Sequence, residues 1–147
     1  MAARAARWLL RRAPALAARA LATAAFVAAA ARAAPQPAQD YVLECRGCHG
    51  ARGEGTRGSV PSLAESARFL TTPRGRAYLV RVPGVAGSQL SNARIAALLN
   101  WMLRELASDP PAPASFAPFA AEEVARERAR PLLDPLAERA RILGAAR

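Results

Sequence analysis

The only two cysteines and the only histidine of this 147-residue chain stand together as Cys45-Arg46-Gly47-Cys48-His49. C-x-x-C-H is the attachment signature of covalent haem c. Two thiols three residues apart on one helical turn can each add to a porphyrin vinyl group, and the next residue then projects its imidazole at the iron. Cys45 and Cys48 are therefore the candidate thioether residues, and His49 is the candidate axial ligand of a single haem c. Three other uses of such residues fail on inventory. A structural zinc site needs four ligands, and no further His or Cys exists to complete the shell. A thioredoxin-type dithiol belongs in a strand-helix-strand context, and no strand pattern is found. A disulfide across two residues is strained and leaves His49 unexplained.

A large cofactor also suits the composition. The chain is 52% apolar but only 5% aromatic, and its 12 prolines and 9 glycines cut it into short segments. Much of the apolar fraction is alanine, so the side-chain core is small, and a fold organised around a bulky apolar group gains burial that the side chains do not supply.

The net charge of +10 points at first to nucleic acid, but it is unevenly distributed. Residues 1–33 hold six arginines and no acid, which leaves +4 for the rest. That leader is arginine-rich up to residue 19, runs apolar or small from 20 to 31, and ends in Ala31-Arg32-Ala33. This is the layout of a secretory signal cleaved after Ala33, and its apolar run is too short for a membrane span. It predicts export to the periplasm and no stable membrane span in the mature chain; a transit peptide or a weak twin-arginine signal at Arg11-Arg12 is the less favoured reading. No phosphate loop or repeat is found, and the arginines lack the aromatic interleaving of a nucleic-acid surface, so no nucleic-acid partner is expected.

From Tyr41 to Leu106 the chain resembles a small bacterial class I cytochrome c. Tyr41 precedes Cys45 by four residues, as in the family's Y-x-x-x-C-x-x-C-H-G; Gly50, Gly53 and Gly55 continue C-H-G-x-x-G-x-G; and Pro61-Ser62-Leu63 is similar to its P-x-L. The resemblance implies an all-α fold in which helices wrap the haem, with residues 34–107 as the haem domain. It implies that the proline segment brings a backbone carbonyl to His49, making Pro61 the candidate support for the ligand; an ordinary turn proline is the alternative. The glycines are expected to let the loop lie against the haem edge.

The local signals are helical throughout. A helix from about Ala38 to Arg46 is expected to carry Tyr41 and Val42 into the core. Ser62 and Glu65 read as a capping box opening a short helix to Leu70, and Thr72-Pro73 as a cap for another to Arg81, ended by Pro83-Gly84. Ser91 caps the longest segment, in which Ile95, Leu98, Leu99, Met102 and Leu106 recur at helical spacing. The resemblance implies that this helix crosses the first and brings Trp101 near Tyr41. Residues 108–118 form a proline-rich linker, and 119–147 a helical extension with stretches at about 119–130 and 135–143, expected to dock on the haem domain or on a partner.

The family's usual second axial ligand is a methionine before a proline; here that place reads Val82-Pro83. Met102 is the remaining candidate, although a methionine in an apolar stripe often only fills space. An axial Met102 and an iron without a protein sixth ligand both stay open. The expectation is a periplasmic one-electron carrier, not an enzyme, that passes electrons between redox proteins with an acidic docking surface. Arg46, Arg52, Arg57 and Arg81 are candidates for that surface, and Arg52 or Arg81 for a haem propionate. Two alternatives are a five-coordinate haem protein binding small ligands or peroxide, and a permanent cytochrome subunit of an oxidoreductase.

Overall fold

Side-chain caps hold three of the helices, two of them at Thr72 and Ser91 as read from the sequence. The Thr72 side chain accepts a hydrogen bond from the Gly75 amide at 3.0 Å and opens a helix over Pro73–Arg81. Ser91 does the same from Arg94 for the long helix Asn92–Glu105, and Asp134 accepts from the Ala137 amide at 2.9 Å where Pro135–Ala145 begins. The structure, a computed structural model, describes residues 36–145; the signal segment read over 1–33 lies outside them. In chain order the helices are α1 (Pro37–Glu44), α2 (Arg46–His49), a 3-10 helix (Ser66–Thr71), α3 (Pro73–Arg81), α4 (Pro83–Ala86), α5 (Asn92–Glu105), α6 (Ala121–Arg128) and α7 (Pro135–Ala145). Among the described residues there is no strand, only two isolated bridges. The chain is all-α.

Three local expectations are corrected. The first helix breaks at Cys45, so the motif sits on its own turn, α2. Val42 is half exposed; α1 buries Asp40 and Tyr41 instead. Ser62 and Glu65 form no capping box: the Ser62 hydroxyl donates to the Gly53 carbonyl at 3.1 Å, Glu65 is drawn to Arg139, and only a 3-10 helix forms. In addition, Pro83 ends α3 but starts the short turn α4 rather than a plain loop.

The core centres on the crossing of α1 and α5, with α6 packed on α5 and α3 packed on the 3-10 helix. Tyr41 meets Trp101 with ring centroids 5.5 Å apart, as the resemblance implied. On the same crossing the carboxylate of Asp40, fully buried, accepts from two nitrogens of Arg94. A buried carboxylate needs such a fork to offset its lost hydration. Phe69 stacks on Tyr78 at 4.6 Å and joins the 3-10 helix to α3.

The extension packs on its own chain, and the described residues belong to one unit. Phe119, Val124 and Ile142 are buried in the common core. Side chains take over backbone pairing where no sheet exists: Asn100 exchanges two hydrogen bonds with the backbone of Phe119, at 2.7 and 3.0 Å. Arg76 binds Glu123 and the Ala117 and Pro118 carbonyls while covering the Phe119 ring. Arg128 of α6 donates to the carbonyls of Ala86, Ser88 and Leu90, tying down the bend between α4 and α5. Each buried apolar side chain of the extension contributes about 2 kcal/mol, against a total domain stability of about 5–15 kcal/mol. Deleting residues 110–147 is therefore expected to abolish the cooperative unfolding transition, monitored by circular dichroism. A truncated chain that melts like the full one contradicts the docked extension.

Candidate functional site

Cys45 caps α2 and His49 ends it, so one helical turn presents both thiols and the imidazole to a cavity of about 400 Å3. That volume lies in the range of small-molecule and cofactor sites, about 300–1,000 Å3. The motif residues Cys45, Cys48 and His49 all line it. Leu63 and Phe69 form a second wall, and Leu79, Val82 and Val85 a third. Ile95, Leu99 and Met102 of α5 close the back, and Leu136 and Arg139 of α7 add a wall from the extension.

The imidazole is oriented from behind. His49 Nδ1 lies 3.1 Å from the Pro61 carbonyl oxygen, so Nδ1 carries the proton and Nε2 keeps its lone pair for a metal. This is the contact that the resemblance implied for Pro61. Burial pushes the imidazole below its ordinary pKa, and the Pro61 carbonyl opposes the shift by favouring the protonated ring. Tyr41 supports the same turn by donating to the Gly50 carbonyl at 2.7 Å.

The loop between His49 and Pro61 explains its glycines differently from the sequence reading. Gly50, Gly53 and Gly55 all have positive φ, yet none of them lines the cavity. At Gly55 a β-carbon would stand 2.8 Å from the Pro61 carbonyl oxygen, and closer still to that of Val60. Its amide also donates to the His49 carbonyl at 2.8 Å. Glycine is needed there so that the 60–61 backbone can fold onto the motif turn, rather than to make way for a cofactor edge.

The thiols are not an activated pair. Cys45 is half-buried and Cys48 exposed, and no disulfide joins them. Burial, reinforced by Glu44, Asp40 and Cys48, pushes the Cys45 thiol up to about 11. A dithiol redox centre requires the opposite shift. Among the described residues no three His, Cys, Asp or Glu side chains converge to hold a metal ion by themselves.

Met102 is buried and lines the cavity; Val82 also lines it, in a wall without a ligating atom. Arg52 and Arg81 do not line it, and the Arg81 guanidinium is engaged by the Arg130 carbonyl at 2.6 Å. The sequence reading missed Arg139, whose side chain is 16% exposed and pairs with Glu65 beside the Phe69 ring. Its signal was the three-residue spacing from Leu136, which places both on one face of α7. The chain matches no family model and no curated protein.

Alanine at Gly55 and at Gly58 separates crowding from backbone strain. Both glycines have positive φ, but only Gly55 is crowded. Gly58→Ala is expected to cost about 1–2 kcal/mol from strain. Gly55→Ala should cost about 1–3 kcal/mol more from overpacking and move the His49 Nδ1 proton resonance. Equal denaturation midpoints, with an unmoved resonance, contradict the assignment.

Proposed function

We propose that this chain is a monohaem c-type cytochrome of the small class I kind, exported to the periplasm, that carries one electron at a time between redox proteins. The observation that carries the reading is the convergence of Cys45, Cys48 and His49 on one apolar cavity, with the His49 Nδ1 proton held by the Pro61 carbonyl. The residues fit the group. Cys45 and Cys48 hold it covalently, His49 supplies the axial nitrogen, and the aliphatic walls exclude water. Haem c, when bound, supplies an iron that takes up and releases one electron. The Pro61 carbonyl fixes the tautomer of His49 and raises its basicity. The exposed thiol side of the motif turn, with Arg46, Arg52 and Arg57, faces solvent and suits an acidic partner. Arg81 is withdrawn from that surface by the extension. Among the described residues no helix is long and apolar enough to cross a membrane.

Met102 lines the cavity and is our candidate sixth ligand. A second reading has a specific support: the wall of Leu79, Val82 and Val85 offers no donor, which suits a five-coordinate iron that binds small ligands.

Two measurements test these readings. Protein made with an intact export signal and a haem-attachment pathway is expected to stain for haem after denaturing electrophoresis. Cys45→Ala or Cys48→Ala should leave a single thioether, and the double variant none; an unstained wild type overturns the proposal. Carbon monoxide then separates the ligand sets. With Met102 on the iron, the wild type is low-spin and inert to carbon monoxide, and Met102→Leu loses the sulfur-to-iron band and gains carbon monoxide binding. A wild type that already binds it, unchanged by Met102→Leu, establishes the second reading.

A further inference from the structure

Two ion pairs of different kinds join helix α7 to the rest of the chain. Arg74 of α3 holds Glu138 with both arms, at 2.6 and 2.8 Å, on the outside of the molecule. One residue further along, Arg139 pairs with Glu65 through a single nitrogen, Nη2, inside the cavity wall. The first pair holds the outer face of the helix, whose inner face buries Ile142. The second occupies one nitrogen, and with the Tyr78 hydroxyl also beside the guanidinium, some of its five donors remain over although the side chain is only 16% exposed.

The surroundings of Arg139 limit what those donors can meet. Its guanidinium carbon lies 5.2 Å from the centre of the Phe69 ring. Tyr78, stacked on Phe69, lines the same end. Arg139 is the one arginine lining the cavity among the described residues. The acid that also lines it, Glu44, adjoins Cys45 and is held by Ser88 at 3.0 Å. An anionic group entering this cavity therefore meets an acid at the thiol end and, at the α7 end, a guanidinium that it shares with Glu65.

We propose that Arg139 anchors a carboxylate of the bound cofactor, a haem propionate, so that the C-terminal extension supplies part of the cofactor site. This rests on the haem reading above. A propionate is ionised at neutral pH, and its burial against Phe69 and Leu136 needs a paired cation with free donors. Glu65 shares the guanidinium with that carboxylate and competes for its donors.

Resonance Raman spectra of the haem-loaded protein test the assignment through the propionate bending band. Arg139→Gln is expected to shift that band, whereas Arg74→Gln, which weakens the docking of the same helix from outside, should leave it in place. An unmoved band in Arg139→Gln, or an equal shift in Arg74→Gln, overturns the anchor and leaves the haem reading intact. Should Arg139→Gln fail to mature, Glu65→Gln is decisive. It frees the guanidinium from its competing acceptor and should move the band towards stronger hydrogen bonding; no movement overturns the proposal. A wild type without covalent haem overturns both readings together.

Discussion

The hydrogen bond from His49 Nδ1 to the Pro61 carbonyl ties together the two halves of the cavity wall that the chain must bring into register. On one side stands α2, a single turn that has no side-chain cap and buries nothing by itself. On the other stands the Val60–Leu63 segment, whose backbone reaches back through Leu63 to the Gly53 carbonyl. Neither is stable alone. The contact exists because Gly55 admits the 60–61 backbone where a β-carbon would not fit. One position without a side chain thus determines which imidazole nitrogen is free to bind.

Much of this was legible locally. A cap acts within one turn, so Thr72, Ser91 and Asp134 could be read from neighbouring residues alone. The apolar period of α5 was equally plain, and the pairing of Tyr41 with Trp101 came from the resemblance rather than from periodicity. Ser62 and Glu65 misled because both were claimed by partners distant in sequence, Gly53 and Arg139. Val42 misled because α1 is only eight residues long, with one narrow buried stripe, and that stripe is used by Asp40 and Tyr41. A fully buried aspartate on a helix face is not an apolar signal, and Arg94, which makes its burial tolerable, lies 54 residues away.

The candidate site divides in the same way. Its motif, five consecutive residues, was visible at once, because residues that share a helical turn leave a fixed spacing. Its outer wall was not. Leu136 and Arg139 look like an ordinary solvated helix until α7 is placed against the 3-10 helix and α3. Read as charge alone, Arg46, Arg52, Arg57 and Arg81 suggested a docking face. In the fold one of these, Arg81, joins Arg76 and Arg128 in binding backbone carbonyl oxygens. The reason is geometric: a planar fork with five donors satisfies several carbonyls that no helix or sheet can pair.

That use of arginine bears on why an extension is present at all. A chain with few aromatic residues and a cavity of about 400 Å3 at its centre has little side-chain volume left to close its own wall. Helices α6 and α7 supply Phe119, Val124 and Ile142 to the core and Leu136 and Arg139 to the cavity. The same segment therefore serves the packing and the site. Its hold on the rest runs through polar contacts as well, with Arg76, Asn100 and Arg128 each gripping backbone. Such contacts are directional, and on α7 itself the pairs of Glu138 with Arg74 and of Arg139 with Glu65 fix the register more narrowly than aliphatic packing does. Narrow register is what a charged side chain at a cavity wall requires, because a shift of one residue along α7 would turn Arg139 away from Glu65 and bury no counter-charge in its place.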